Sequence, residues 1–520
     1  MKIVMDEESG PKDNRKMSWL PFLRQAYICS GETILHFCFG LYFGAPTVFI
    51  PQIRKEANKT EAISLEMESW LSSTITSYSC IPWTIILPIM AYFYGRRAPS
   101  ILLWTLVLIS TMVLLFSTTI MEIVISQIII GVLPGSTLTV SIMIFTEYTS
   151  PKYRGVFLTV KAATFFWGVW VANVIGAYYH WKNIVTVMTV CCVLSSSIIL
   201  WPESPMWLAS KGRFDECAKI HRWLNGQDTN SEKELSCLIK LQKTKLSKNS
   251  QNKGIREVLL KYIGVIKLKT IYKPIIFTVL SSLLYICSGK LACSVYAITI
   301  IRKITITEEA AYNDMLILDG FTILGMYVGC VLSKYCKRRK ILIYTSLTEV
   351  LFLFILSLYM YLIKSSIITE NQYFTIVLLT IFSTAVSCGP IILGPCICGE
   401  LAPIKYRSIY FSLSAIVMST LIATTIKITP VVFENFEMHI FFLLSGLSTS
   451  VVIVLVYKYL PETKDKTVQE IQRLLLEGGI EIKEEIAEDE MSVRINGGDS
   501  QKNNIAMDLG FLEQKNTLSE

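Results

Sequence analysis

The segment EYTSPKYR at residues 147–154 decides the fold, because it returns as ELAPIKYR at residues 400–407 with its acid, its final Lys-Tyr-Arg and its spacing intact. Two further short segments recur in the same order. GRR at 95–97 has a counterpart in KRR at 337–339, and PESP at 202–205 has a counterpart in PETK at 461–464. All these copies flank hydrophobic stretches. These repeated motifs predict a duplicated membrane unit, and many secondary transporters consist of repeated halves around a central site.

Composition also indicates an integral membrane protein, since 52% of residues are hydrophobic, 17% are charged and the mean hydropathy is +0.48. Apolar stretches of about 20 residues are long enough to cross a hydrocarbon core and must be helical there. We predict about twelve such spans, near 26–50, 71–93, 98–117, 120–145, 157–180, 183–201, 274–300, 312–333, 340–363, 373–398, 409–432 and 437–460. The predicted fold class is therefore an all-α integral membrane protein with two pseudo-symmetric six-helix bundles.

Basic residues set the predicted orientation, because cytoplasmic loops collect Lys and Arg. Placing the N-terminus inside makes nearly every basic cluster cytoplasmic. It also puts Asn58, in the chain's one glycosylation sequon, outside. We predict a cytoplasmic N-terminus at 1–25, a first bundle at 26–201, a cytoplasmic helical linker at 202–273, a second bundle at 274–460 and a cytoplasmic tail at 461–520. The sequon and the lack of sorting signals favour the plasma membrane.

The polar linker has about twice as many basic as acidic residues. A basic run of this kind suits nucleic acid, anionic lipid at the inner leaflet, or a solvated connector on the membrane. We favour the connector and expect the lipid bilayer, but no nucleic acid, as a partner. The chain has no phosphate loop, nucleophile elbow or paired hydrolytic acids, and its four histidines make a metal site improbable. We predict a protein that is not an enzyme and has no cofactor.

These motifs resemble those of the sugar porter family of the major facilitator superfamily, and within it the insect facilitated trehalose and glucose transporter-like members. The resemblance covers residues 26 to about 472. Its strongest part is PESPMWLASKGR at 202–213, followed by PETKDKT at 461–467 and the two acid-to-arginine motifs. The resemblance implies a twelve-helix carrier of a small polar solute that works by alternating access.

Charged residues at the cytoplasmic helix ends form a predicted gate. Opposite charges there can pair across the two halves and hold the inner side shut, or they can simply anchor helix ends at the headgroups. The predicted set is Arg96, Arg97, Glu147, Arg154, Glu203, Arg338, Arg339, Glu400, Arg407 and Glu462.

The predicted substrate region departs from the family. Where the resemblance places two glutamines and an asparagine in the seventh span, this chain has YICSGKL at 285–291. The amide expected in span eight falls at Thr322, the glutamine of span five at Ala162, and the tryptophan of span ten at Pro395. Most of the usual hydrogen-bonding groups for a sugar are therefore absent.

Two ionisable residues stand in their place, Lys290 in span seven and Asp319 in span eight. Such residues are costly in hydrocarbon unless they are paired or hydrated, and they are functional candidates by default. We expect both to face the central cavity, where they either pair with each other or bind the solute. A structural ion pair is the alternative. Tyr285 and Tyr296 can add hydroxyls or a ring face.

Energy coupling is predicted to be absent, because Glu32 and His36 in span one do not lie where the resemblance places a proton carrier. The predicted function is facilitated diffusion of a hexose or trehalose. Two alternatives are a diverged carrier for another small polar or anionic solute, and a non-transporting sensor with the same fold.

Overall fold

The first half of the chain forms six membrane spans and ends at Leu200. The computed structural model describes residues 19–56, 64–137, 139–248, 264, 268–302, 308–369, 371–403 and 406–464. Span 1 is Leu20–Glu56, span 2 is Leu65–Ser69, Trp70–Thr74 and Ile75–Tyr94, span 3 is Arg97–Leu115, span 4 is Ile120–Ile130, Val132–Thr137 and Val140–Tyr148, span 5 is Pro151–Tyr178, and span 6 is Lys182–Leu194 with Ser195–Leu200.

The second half repeats this arrangement. Span 7 is Lys269–Cys287, Lys290–Val295 and Ala297–Arg302, span 8 is Glu308–Tyr335, span 9 is Arg338–Lys364, span 10 is Gln372–Val386, Ser387–Ile391 and Ile392–Leu401, span 11 is Arg407–Asn435, and span 12 is Met438–Tyr459. Between the halves lie the linker helices Pro205–Ser210, Phe214–Asn225 and Thr229–Lys248.

Twelve helical segments within the described residues are long and apolar enough to cross a membrane. Each predicted span lies on one of them, which confirms the predicted fold class. The largest differences are at helix ends. Span 1, for example, starts at Leu20 rather than residue 26. Asn58, Lys405 and the tail after Lys464 lie outside the described residues, so the predictions made for them stay predictions.

Several spans are broken where the sequence weakens the helix. Span 2 contains Ser72 and Ser73 with non-helical backbone angles, span 10 has a π turn containing Pro390, and span 7 is interrupted at Ser288 and Gly289. Backbone groups freed by such breaks must find partners inside the protein, so broken helices in a membrane are expected beside other helices or a water-filled cavity.

The linker packs against the start of span 1. The Gln25 amide donates to Leu224 O at 3.2 Å, and Arg24 Nη1 donates to Trp223 O at 2.8 Å. The linker has a small apolar core of its own that includes Leu208, Cys217 and Leu235. The linker, the charge clusters described below and these span ends define what we call the linker face. The other end of the molecule is the opposite face.

Candidate functional site

A break in span 7 places Lys290 inside the protein. Gly289 has a left-handed backbone with φ of 76°, which an L side chain adopts only at a cost. A Cβ at this position would also lie 2.9 Å from Ser445 Oγ and 3.0 Å from the Phe441 ring. The helix therefore stops before Gly289 and restarts at Lys290, whose side chain is only 1% exposed.

Lys290 belongs to a buried polar chain that joins three spans. Its Nζ donates to Thr322 Oγ1 at 3.0 Å, and the Thr322 hydroxyl is hydrogen-bonded to Ser383 Oγ at 2.8 Å. Thr322 and Ser383 are also buried. An ammonium group carries three donors, and this bond uses one of them. The sequence-predicted Lys290 and Thr322 thus lie in direct contact, while Ser383 is a third member that the sequence reasoning missed.

Asp319 lies one helical turn before Thr322 and connects the two halves. The Asn173 amide of span 5 donates to Asp319 Oδ2 at 2.6 Å, and both side chains are buried. The other amide atom, Asn173 Oδ1, is a buried acceptor with no partner among the described residues. The charges of Lys290 and Asp319 are near enough to interact, although the described side chains form no direct ion pair between them.

The two predicted tyrosines, Tyr285 and Tyr296, lie in different parts of the structure. Tyr285 is partly buried and packs against the apolar core of the second half. Tyr296 donates its hydroxyl to Ile426 O at 3.1 Å and lines a separate cavity of about 270 Å³ near Arg54 and Glu68. The structure therefore gathers Lys290, Asp319 and Thr322 into one cluster and leaves Tyr296 closer to the opposite face.

Contacts between the halves concentrate toward the opposite face. Span 2 meets span 11 through Tyr78 and Thr424, whose hydroxyls are 3.0 Å apart. Span 5 meets span 8 through Trp170, whose Nε1 donates to Leu316 O at 3.2 Å. Further contacts of this kind are Thr47 Oγ1 to Val295 O at 3.2 Å, Tyr178 to Asn313 at 3.0 Å, and Lys427 Nζ at 3.9 Å from the Trp70 ring centre.

The first charge cluster lies on the linker face of the first half. Arg96 and Glu147 form an ion pair at 2.6 Å, and Ser204 also donates to Glu147. Glu203 accepts from the backbone N–H of Arg96 at 2.6 Å and thus caps the start of span 3, where a negative charge is favourable. Gly95 must be glycine here, because its φ is 92° and a Cβ would lie 2.2 Å from Glu203.

The second charge cluster repeats these contacts in the second half. Arg338 pairs with Glu400, and Glu462 accepts from the backbone N–H groups of Arg338 and Arg339 at 3.1 and 3.3 Å. The last arginine of each basic motif also makes an equivalent hydrogen bond to a backbone carbonyl. Arg97 donates to Ile199 O and Arg339 donates to Tyr457 O. The repeated motifs therefore form the same structural unit twice.

The remaining predicted gate residues, Arg154 and Arg407, do not pair with an acid in the described structure. Arg154 donates to Thr146 O at 2.8 Å and Thr149 O at 3.3 Å, and the Arg407 guanidinium lies 5.5 Å from the Phe411 ring centre. We expected charge pairs across the halves, but the described pairs lie within each half. Helix ends of one bundle are closer to each other than to the partner bundle here, because the halves meet mainly toward the opposite face.

A further buried charged pair lies inside the first half. Glu32 in span 1 is completely buried and accepts from Ser141 Oγ at 3.2 Å, while Lys161 in span 5 donates to Thr137 O at 3.0 Å. The two charges are near enough to interact. His36 lies one turn beyond Glu32 and is also buried. Lys161 was missed by sequence reasoning, although a lysine within an apolar span was the signal.

The fold is that of a membrane carrier with two six-helix halves. It is similar to the xylose transporter XylE from E. coli in a partially occluded inward-open conformation, with a TM-score of 0.65, 16% identity, and coverage of 86% of this chain and 100% of that one. The model of the sugar (and other) transporter family matches residues 30–475. The chain therefore belongs to the sugar porter family of the major facilitator superfamily.

Two curated relatives illustrate the similarity. The facilitated trehalose transporter Tret1 of Bombyx mori is 23% identical over 496 residues, which is 92% of each chain. The glucose transporter GlcP of Staphylococcus epidermidis is 22% identical and covers 74% of this chain and 83% of its own. The family membership confirms a multi-pass membrane protein that is a carrier rather than an enzyme.

Proposed function

We propose that this carrier moves a sugar, a hexose or trehalose, down its concentration gradient by alternating access. The observation that carries the proposal is the buried polar cluster of Lys290, Thr322 and Ser383 beside the Asn173–Asp319 bond between the halves. The named activities of the relatives, trehalose and glucose transport, support a sugar as the solute.

The cluster offers a sugar both kinds of hydrogen-bonding partner. Lys290 supplies donors, Asp319 supplies acceptors, and the hydroxyls of Thr322 and Ser383 supply either. Asn173 Oδ1 is a further acceptor, already desolvated and without a partner among the described residues. Leaving such an atom unpaired costs free energy, so a sugar hydroxyl that reaches it gains a favourable bond. These groups would replace the amides that the seventh span lacks.

The same cluster can couple binding to the movement of the halves. Asp319 accepts a hydrogen bond across the interface from Asn173, and it interacts with the Lys290 charge inside its own half. A solute that binds Asp319 competes with Asn173 for its oxygens. Binding would therefore loosen the closure of the opposite face, and a ligand shifts an equilibrium only by such differential contacts.

We place the linker face in the cytoplasm and the carrier in the plasma membrane, with both chain termini cytoplasmic. The basic linker and the two arginine-rich charge clusters support this orientation, because short cytoplasmic loops are enriched in Lys and Arg. In this orientation the halves meet mainly on the outer side. We take the structure to represent an inward-facing state, with the charge clusters as the proposed inner gate.

An anionic solute is the second candidate. Lys290 is fully buried and donates to a neutral hydroxyl rather than to a carboxylate, and among the described residues the acid that compensates its charge is the more distant Asp319. A buried cation of this kind favours an anionic ligand, although Asp319 would oppose it. We rank a neutral sugar first because the cluster contains both charges.

The test is uptake of radiolabelled glucose and trehalose into proteoliposomes that contain the purified full-length chain. We expect saturable uptake that stops when the gradient is removed, and loss of uptake in Lys290→Ala. The matched control is Lys458→Ala, which removes an exposed lysine at the end of span 12. Uptake of neither sugar by a folded protein would overturn the sugar assignment, and uptake of a labelled organic anion would then support the second candidate.

A further inference from the structure

A large cavity on the linker face lies away from the proposed solute site. It has a volume of about 810 Å³, is broadly open to the surface, and is lined by the start of span 1, the end of span 6, the start of span 3 and the linker helix Phe214–Asn225. This size falls in the usual range for small-molecule sites, about 300–1,000 Å³. Arg97 is the lining residue that the cavity shares with the proposed inner gate.

Most of the charged side chains on the cavity wall are basic. Arg24, Arg97, Lys219 and Arg222 line it together with one acid, Asp215. The charge of Arg222 is already neutralised, because Arg222 forms a bidentate ion pair with Glu232 at 2.6 and 3.0 Å. Three cations therefore remain against one carboxylate.

The three remaining cations keep donors available. Arg24 donates one N–H to Trp223 O and lies 5.1 Å from the Trp223 ring centre, which fixes its position without neutralising it. Arg97 donates one N–H to Ile199 O at 2.6 Å. Each guanidinium has five N–H groups, so both retain donors for a ligand. Lys219 is exposed and forms no hydrogen bond or ion pair with another described residue.

The exposed apolar side chains beside the cavity favour a ligand that carries acyl chains. It opens beside the start of span 1 and the end of span 6, and the side chains of Tyr27 and Leu200 on its wall are exposed, Leu200 by 77%. A soluble phosphate would gain nothing from them, whereas acyl chains would cover them. Basic pockets beside membrane helices on the cytoplasmic side are suited to anionic lipid headgroups.

We propose that this cavity binds the phosphate-bearing headgroup of an anionic phospholipid, held by Arg24, Arg97 and Lys219. The lipid bridges span 1, span 3 and the linker helix. It therefore fixes the linker against the first half and makes the stability of that contact depend on membrane composition. Binding to the native state alone stabilises it by mass action.

The test is thermal unfolding of the purified full-length chain in neutral detergent, titrated with short-chain phosphatidylinositol bisphosphate or phosphatidylserine. Short-chain phosphatidylcholine and free inositol trisphosphate are the comparison probes. We expect a saturable rise in Tm with an anionic lipid and little with either comparison. An equal rise with inositol trisphosphate would overturn the lipid assignment in favour of a soluble phosphate, and no rise with any anionic lipid would overturn the site.

Two variants make the test specific to the cavity. Lys219→Gln changes only an exposed side chain, and we expect it to weaken lipid binding about fivefold, the effect of one surface charge. Arg24→Gln with Lys219→Gln should weaken it about 30-fold. The matched control is Lys233→Gln with Lys240→Gln, two exposed linker lysines outside the cavity. Equal weakening in the control and the cavity variants would reduce the effect to the overall charge of the linker and contradict the proposal.

Discussion

Removing the Asn173 amide should open the face that this structure holds closed. Asn173 donates to Asp319 Oδ2 at 2.6 Å, and this bond joins span 5 of the first half to span 8 of the second. Asn173→Ala deletes the donor and leaves Asp319 near the Lys290 charge. The fold of each half is retained, because the bond lies between the halves and alanine suits a helix.

The size of the effect follows from the type of bond. A hydrogen bond to a charged group contributes about 1.5–3 kcal/mol. If that contribution is present only when the opposite face is closed, its loss shifts the ratio of closed to open states by about 10- to 150-fold. Other contacts across the interface remain, including Trp170 to Leu316 O and Tyr78 to Thr424, so the closed state is weakened rather than abolished.

Hydrogen–deuterium exchange of the full-length chain in lipid nanodiscs measures this shift. We expect faster exchange in residues 290–302 and 308–320, which lie along the interface on the opposite face. The matched control is Asn183→Ala, which removes an exposed amide from span 6. If exchange in these segments is the same in Asn173→Ala, the control and the unmodified chain, Asn173 does not help to close the opposite face and the assignment is refuted.

Two further predictions concern stability on the linker face. Gly95→Ala should lower the Tm of the purified chain, because the combination of φ 92° and ψ −174° costs a non-glycine residue about 1–3 kcal/mol and the added Cβ would meet Glu203 at 2.2 Å. Gly155→Ala has open space around it and should leave the Tm unchanged or raise it, so a similar loss in both variants would contradict this reasoning. Burial lowers the pKa of His221 in the linker below its ordinary value of 6.5, and its ring contacts Ser231. Because the unfolded state then binds the proton more tightly, the stability from neutral His221 is present above about pH 6.5 and lost as the pH falls below it. Thermal unfolding at about pH 7.5 and 5.5 should show a larger loss in the unmodified chain than in His221→Gln, and equal losses would exclude His221 as the cause.

The repeated motifs predicted the architecture well, because each motif makes its contacts within its own half. Glu203 caps the start of span 3 and Glu462 caps the start of span 9 through backbone N–H groups, and Arg96 and Arg338 each pair with an acid of their own half. Sequence alone could not show that these pairs stay within a half. That depends on how the two bundles are tilted in a given conformational state, and no local pattern encodes the tilt.

The central site was predicted in part. Lys290 and Asp319 stood out as ionisable residues in apolar spans, and both proved to be buried with polar partners. Asn173 and Ser383 did not stand out, because polar uncharged residues are common in membrane helices. Which of them faces Asp319 or Thr322 depends on the rotation of each helix about its axis. In lipid both faces of a span are apolar, so periodicity sets that rotation only weakly.

Counterflow of labelled sugar in proteoliposomes tests the central claim most directly, because it requires one site that binds the solute and faces each side in turn. Vesicles loaded with unlabelled glucose or trehalose should transiently accumulate the labelled sugar when they contain the unmodified chain or Lys458→Ala. Lys290→Ala should show no accumulation while it keeps the Tm of the unmodified chain. Counterflow by Lys290→Ala equal to that of the unmodified chain would contradict the assignment of the Lys290 cluster as the solute site.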